Sequence, residues 1–265
     1  MPKLDRPWGT YHYLDEGAGP LVVLLHPLAA TGELWRRLID ELTPSFRVVA
    51  PDARGHGAST WDGTQFTVPD LADDVAALIQ HLDSGPAHLV ALSMGGCTAV
   101  ATAIRSPELV GRLVLADTTA DYGPQKKEAW SERAERAVAV PRDKQLRFQV
   151  ERWFSTGFIE QDPAEVERIS NIFVDTDSEA HAAACHALGA YSDLGRLGEI
   201  KAPTLVLVGE DDYATPPRMA QTIHEGIAGS TYLVLYKTRH MSLVENPTAR
   251  LLAARHLSGL DVLRD

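Results

Sequence analysis

The sequence predicts an α/β protein: a mostly parallel sheet with helices on both faces and an inserted helical cap. Three observations carry this. Short apolar, β-branched runs alternate with helical patterns along most of the chain, as buried parallel strands and their crossover helices require. One of those runs ends at a serine flanked by small residues and opens a helix. From residue 119 to 192 the strand signals vanish and charge rises, until Ala202-Pro203-Thr204 restarts the alternation.

The elements follow in order. Tyr11 to Leu14 reads as an antiparallel edge strand. The buried strands are Leu21 to Leu25, Phe46 to Ala50, Ala87 to Leu92, Arg112 to Ala116, Thr204 to Val208 and Thr231 to Leu235. Between them lie amphipathic helices: one with Val68, Leu71, Val75, Leu78, Ile79 and Leu82 at helical spacing, one after Ser93, and one over Met219 to Ile227. The interruption holds helical stretches at Glu128 to Val138 and Lys144 to Phe154. A single crossover rarely needs roughly seventy residues. The expected organisation is therefore a core of residues 1–118 and 193–265, with a cap at 119–192.

The bulk composition narrows the function classes. A chain of 265 residues, 45% hydrophobic, can bury one sizeable core. No apolar run reaches the roughly 18 residues of a membrane span. The amino terminus lacks the apolar segment of a secretory signal, so a cytoplasmic location is expected. A formal charge of −11 argues against nucleic acid or an anionic membrane as partner. It leaves room for a small anionic substrate, because a site can be locally basic. Cys97 and Cys185 are too few for a disulfide framework, and no Cys/His cluster suggests zinc. No Gly-rich turn follows the first buried strand, so dinucleotide binding is not expected either. The expectation is no metal and no cofactor; nothing in the sequence speaks to oligomeric state.

The serine is Ser93. Ala91-Leu92-Ser93-Met94-Gly95-Gly96 ends a strand and opens an alanine-rich helix, the setting of a nucleophile elbow. Small residues two before and two after Ser93 let strand and helix pass closely, with Ala91 standing where glycine is usual. Taken alone, a serine there is simply a helix N-cap. An unactivated hydroxyl is a poor nucleophile, so a base is needed. Of the ten histidines, His240 follows the last strand, where the chain order serine, acid, histidine puts the base. His26, His56 and His88 precede Ser93; His181, His186 and His224 lie in helical patterns and read as surface residues. Asp212 follows the preceding strand in Gly209-Glu210-Asp211-Asp212-Tyr213-Ala214-Thr215-Pro216-Pro217. It is preferred to Asp211 for its spacing to the Thr-Pro turn, and Asp117, just past the strand after the nucleophile helix, is the rival. The oxyanion donors would be the N–H groups of Leu28 and Met94, because Pro27 has none to offer. The plain alternative for His26-Pro27-Leu28-Ala29 is a strand-ending turn.

With His26-Pro27-Leu28, Asp52 to Ser59, Ala91 to Gly96, Gly209 to Pro217 and Arg239-His240 in place, the chain resembles the α/β-hydrolase superfamily over nearly its whole length. The resemblance implies that superfamily's eight-stranded, mostly parallel sheet. In that fold Asp52 to Ser59 is a structural turn. Glu151-Arg152-Trp153-Phe154, Thr176-Asp177, Asp193-Leu194 and Ile200 to Leu205 look like the 3-oxoadipate enol-lactonases. The chain carries His26-Pro27 where that family often has Asn-Ser, and Asp117 where it often has Asn; both positions edge the pocket. What the resemblance implies is a serine hydrolase of a small lactone or short-chain ester, with Trp153 and His26 as substrate-binding residues. Most of Lys126, Lys127, Arg133, Arg136, Arg142, Lys144, Arg147 and Arg152 read as solvated surface charges paired with Glu128, Glu132, Glu135 and Glu151, but one of them, or Arg239 outside that segment, could hold a substrate carboxylate. The alternatives are C–C hydrolysis or cofactor-free perhydrolysis through the same three residues, and a non-catalytic ligand receptor.

Overall fold

The apolar runs fold into one sheet. The structure is a computed structural model describing residues 2–263. Its strands are β1 Lys3–Arg6, β2 Gly9–Gly17, β3 Leu21–Leu25, β4 Arg47–Pro51, β5 Ala87–Leu92, β6 Val110–Ala116, β7 Thr204–Gly209 and β8 Thr231–Leu235. They lie in the order β1-β2-β4-β3-β5-β6-β7-β8. The six strands from β4 to β8 run parallel, while β1 and β2 are antiparallel. Tyr11 to Leu14 is therefore not the edge: it lies inside the longer β2, and β1 covers it. A stretch as short and polar as Lys3-Leu4-Asp5-Arg6 carries no apolar alternation that would mark it as a strand.

Period-two alternation sorts the central strands onto two cores. Val22, Leu24, Val90, Leu92, Val114, Leu205 and Leu207 pack with α1 (Arg36–Leu42) and α12 (Pro247–Leu257). Leu21, Val23, Leu89, Ala91, Leu113, Val206 and Val208 pack with α2 (Val68–Leu82), α3 (Met94–Arg105) and α10 (Pro217–Gly226). Burial on both faces is why these strands read as unbroken apolar runs. Each buried valine or leucine among them contributes about 1.5–3 kcal/mol. Helix α2 begins where a capping box says it should: Thr67 Oγ accepts from Asp70 N–H and Asp70 accepts from Thr67 N–H.

Between β6 and β7 the chain forms α4 (Lys126–Ala139), α5 (Arg142–Leu146), α6 (Val150–Trp153), α7 (Thr156–Gln161), α8 (Pro163–Asp175) and α9 (Ser178–Ala190). A short α11 (Ser242–Glu245) precedes α12. The helical segment leaves and rejoins the sheet through one bridge, Asp121 to Ser192. The stretch Lys144 to Phe154 is not one helix but α5, a turn and α6. Gln145 fixes α5 across the end of α4, its amide donating to the Arg136, Ala137 and Val140 carbonyls.

His181 is not on the surface: it is buried, and its Nδ1 accepts from Arg142. His26 and His56 lie nearby, their rings 5.4 Å apart. Burial pushes both down to about 4, and burial also pulls His181 well below its ordinary value, with Arg133 and Arg142 adding repulsion. All three are neutral in the folded protein near pH 7. Between about pH 6.5 and 4 the unfolded chain binds protons that the folded chain does not, so stability falls as pH drops through that window. The loss approaches about 3 kcal/mol for each of His26 and His56 at the low end. Urea midpoints at pH 7 and pH 5 check this; equal midpoints would show that the buried rings are free to titrate.

Candidate active site

Ser93 sits where β5 turns into α3, at φ 55° and ψ −116°. A serine at positive φ is strained by about 1–3 kcal/mol, and persists only where its surroundings hold it. They do: Ser93 N–H donates to Ala116 O at 3.1 Å, and the Thr118 hydroxyl donates to Ser93 O at 2.7 Å. The small-residue pattern has a direct cause at Gly95, where a Cβ would lie 2.1 Å from Leu25 O. Two further positive-φ residues, Ala29 and Asp117, follow β3 and β6, so the strain gathers at one end of the sheet.

At that end three side chains form one hydrogen-bonded line. Ser93 Oγ is 3.0 Å from His240 Nε2, and His240 Nδ1 is 2.8 Å from Asp212 Oδ2. A carboxylate only accepts, so Nδ1 carries the proton and Nε2 presents its lone pair to the Ser93 hydroxyl. Asp212 is held by the N–H groups of Ala214 and Thr215 and by the Thr215 hydroxyl. Burial opposes its charge, but His240 and these donors keep its carboxyl below the usual range. Burial likewise opposes an imidazolium at His240, yet Asp212's charge and hydrogen bond, with Asp117's charge, raise the ring above its ordinary value. This arrangement can take a proton from Ser93 and hold it.

Asp117 is buried beside the line but not in it. Its Oδ1 accepts from Gly209 N–H and its Oδ2 from Ser242 N–H, each at 2.9 Å. Those bonds tie the end of β7 to the loop carrying His240. The two loops are close enough that a Cβ on Gly209 would lie 2.3 Å from Thr238 O. Burial and the charge of Asp212 push the Asp117 carboxyl above its ordinary value. Asp211 is exposed and lies outside the line.

The line opens on a cavity of about 410 Å³ lined by Pro27, Leu28, Ser93, Trp130, Arg133, Trp153, Tyr213, Thr215 and His240 among others. Leu28 N–H has no acceptor among the described residues, and Met94 N–H, first in α3, has no partner within its helix. The expectation that His26 binds substrate is corrected here. Its ring is buried behind the loop; Nδ1 donates to Pro27 O at 2.7 Å and Nε2 accepts from Ala53 N–H at 2.9 Å. It pins the loop and does not line the cavity. Trp153 does line it while also packing edge-on against Phe173, and its carbonyl accepts from Met241 N–H. The sequence reading missed Trp130 and Tyr122, whose rings meet edge-on at 4.9 Å, and Thr215. Trp130 and Arg133 lie one turn apart on α4, a spacing that could have flagged them as a pair.

A family model of the alpha/beta hydrolase fold matches residues 20–247. The chain is 32% identical over 240 residues to 3-oxoadipate enol-lactonase 2 of Acinetobacter baylyi, covering 91% of this chain and 89% of that one. It is 28% identical to the (E)-2-((N-methylformamido)methylene)succinate hydrolase of the same organism, covering 88% of each. The crystal structure of the enol-lactonase from Burkholderia xenovorans superposes with a TM-score of 0.90 at 30% identity, covering 100% of both chains. The chain belongs to the α/β-hydrolase fold family and stands close to the enol-lactonases and related hydrolases within it.

Proposed function

We propose that this chain hydrolyses a small, carboxylate-bearing lactone or short-chain ester through an acyl-enzyme. The observation that carries the reading is the unbroken line from Asp212 through His240 to Ser93, whose last two members line one cavity. Ser93 Oγ attacks the carbonyl carbon as its proton passes to His240 Nε2. The oxyanion that forms is held by the N–H groups of Leu28 and Met94, aided by the positive end of α3. When the tetrahedral intermediate collapses, the C–O bond to the leaving oxygen breaks and that oxygen takes the proton from His240. Water then repeats the sequence on the acyl carbon, returning Ser93. Asp212 keeps the imidazole in the tautomer each step needs and stabilises the imidazolium between them.

The carboxylate preference follows from the cations of the cavity. Lys126 is paired with Asp121 at 2.5 Å and also bonds Tyr191 O. Arg152 is exposed and lies over the Tyr213 ring. Arg133 lies over Trp130 at 5.0 Å and has no carboxylate partner among the described residues, so it is the cation free to clamp a substrate carboxylate inside the cavity. The small volume and the aromatic pair Trp130 and Trp153 leave little room for a long acyl chain.

The test is a panel of kcat/KM values: an enol-lactone acid, its methyl ester, and p-nitrophenyl esters from acetate to octanoate. The acid is expected to be the best substrate and octanoate the poorest. Arg133→Gln is expected to lower the acid-to-ester ratio by about 10–100-fold, the worth of a charge-assisted hydrogen bond. An octanoate optimum would overturn the compact-pocket reading, and an unchanged ratio in Arg133→Gln would overturn the clamp.

A further inference from the structure

Immediately outside the cavity lies an open depression lined by Arg136, Arg147, Arg152 and Arg239, with Phe148, Tyr213, Glu151 and Asp211. It shares Arg152 and Tyr213 with the cavity wall, so the two spaces adjoin. Four cations and two acids converge there in a chain whose net charge is −11. None of the four arginines is in an ion pair among the described residues. Several arginines elsewhere on the surface are paired, Arg36 with Glu16 and Glu33, Arg47 with Asp15, Arg105 with Asp73 and Arg196 with Glu199, while Arg112 and Arg218 stand unpaired among the described residues, but singly. The guanidinium groups that hold a position at the depression hold it without a carboxylate. Arg152 lies 5.1 Å over the Tyr213 ring, and Arg239 donates to the Glu151 carbonyl. Phe148 and Tyr213, exposed by 75% and 50%, add flat apolar surface beside the charges.

We infer that this arginine cluster is a second anion-binding site, an entry vestibule that collects carboxylate-bearing substrates at the cavity mouth. The inference rests on the hydrolase reading above, and it supplies what that reading lacks. A strongly acidic protein repels an anion at long range, and Arg133 lies inside the cavity. A local positive field at the mouth reverses that repulsion, raising the concentration of anions where they enter and leaving neutral esters unaffected. The field acts through solvent, so salt screens it.

The experiment compares an enol-lactone acid with its methyl ester between about 20 and 300 mM salt, in the wild type, in the double variant R136Q/R147Q, and in R112Q. Arg112 lies on β6, whose opposite end meets the site, so R112Q removes one charge without touching the mouth. The acid-to-ester ratio of kcat/KM is expected to fall about tenfold across that range in the wild type and in R112Q. In R136Q/R147Q it is expected to start about 5–10-fold lower and to change little with salt. Equal salt slopes for acid and ester, or an effect of R112Q as large as that of the double variant, would overturn the vestibule. A second measurement stands apart from catalysis: titration of adipate into Ser93→Ala protein with and without R136Q/R147Q. Weaker adipate binding in the triple variant supports the site, and unchanged binding overturns it. Were the wild type to hydrolyse neither substrate, the hydrolase reading would fail, and the adipate titration would still decide the vestibule.

Discussion

Ser93→Ala is expected to lower kcat by up to about 10⁶-fold on any substrate the wild type turns over, the scale seen when a triad nucleophile is removed. The reason is geometric. The Ser93 hydroxyl is the group His240 Nε2 faces at 3.0 Å, and the elbow that presents it is held by Ala116, Thr118 and Leu25 rather than by the side chain itself. Alanine at the same φ should therefore leave the loop in place and delete only the chemistry. An intact-mass measurement makes the point independently of substrate choice. A phosphonofluoridate should add one adduct to the wild type, mapped to the peptide containing Ser93, and none to Ser93→Ala. Persistent labelling of the variant would remove Ser93 as the nucleophile. A wild type that accepts the phosphonate but turns over no ester or lactone would point to the receptor reading.

The residues that could be singled out in the sequence are those whose surroundings are local. Ser93 is marked by its own strand, its own helix and the glycine that the Leu25 carbonyl demands. Asp212 and His240 are marked by the strands before them, and the structure brings both to Ser93. Residues whose placement depends on which way a helix faces were not legible. The stretch from Lys126 to Arg152 offers eight cations, and only packing turns Arg133 inward and leaves Arg136 and Arg147 outside. His26 misled for the same reason: its place beside Pro27 was right, but the direction of its ring is set by Ala53, a residue on another loop. The edge strand β1 escaped because its pairing with β2, and not its own composition, makes it a strand. Asp117 was visible as an acid at a strand end. Its two backbone partners come from the end of β7 and from the first residue of α11, which no local pattern joins.

That pair of carboxylates frames the last expected result. Asp212→Asn should lower kcat by up to about 10⁴-fold, because an amide cannot both accept from His240 Nδ1–H and stabilise the imidazolium. It should also move the acidic limb of kcat/KM. In the wild type the base must be neutral, and His240 is raised above its ordinary value, so the limb should lie above about pH 6.5. Activity is lost as pH falls through it. With Asp212 neutral the largest raising influence is gone while burial still opposes the charge, so the residual activity should persist to lower pH. Asp117→Asn should behave differently. One of the two backbone N–H groups it now satisfies would face an amide N–H instead, at a cost of about 1–3 kcal/mol in stability. Its effect on kcat should be far smaller than that of Asp212→Asn, and the limb should shift down only slightly, since Asp117 is the lesser raising charge. Rate–pH profiles and urea midpoints on both variants separate the two roles. If folded Asp117→Asn loses more kcat than Asp212→Asn, the orienting carboxylate is Asp117 and the line through Asp212 is structural.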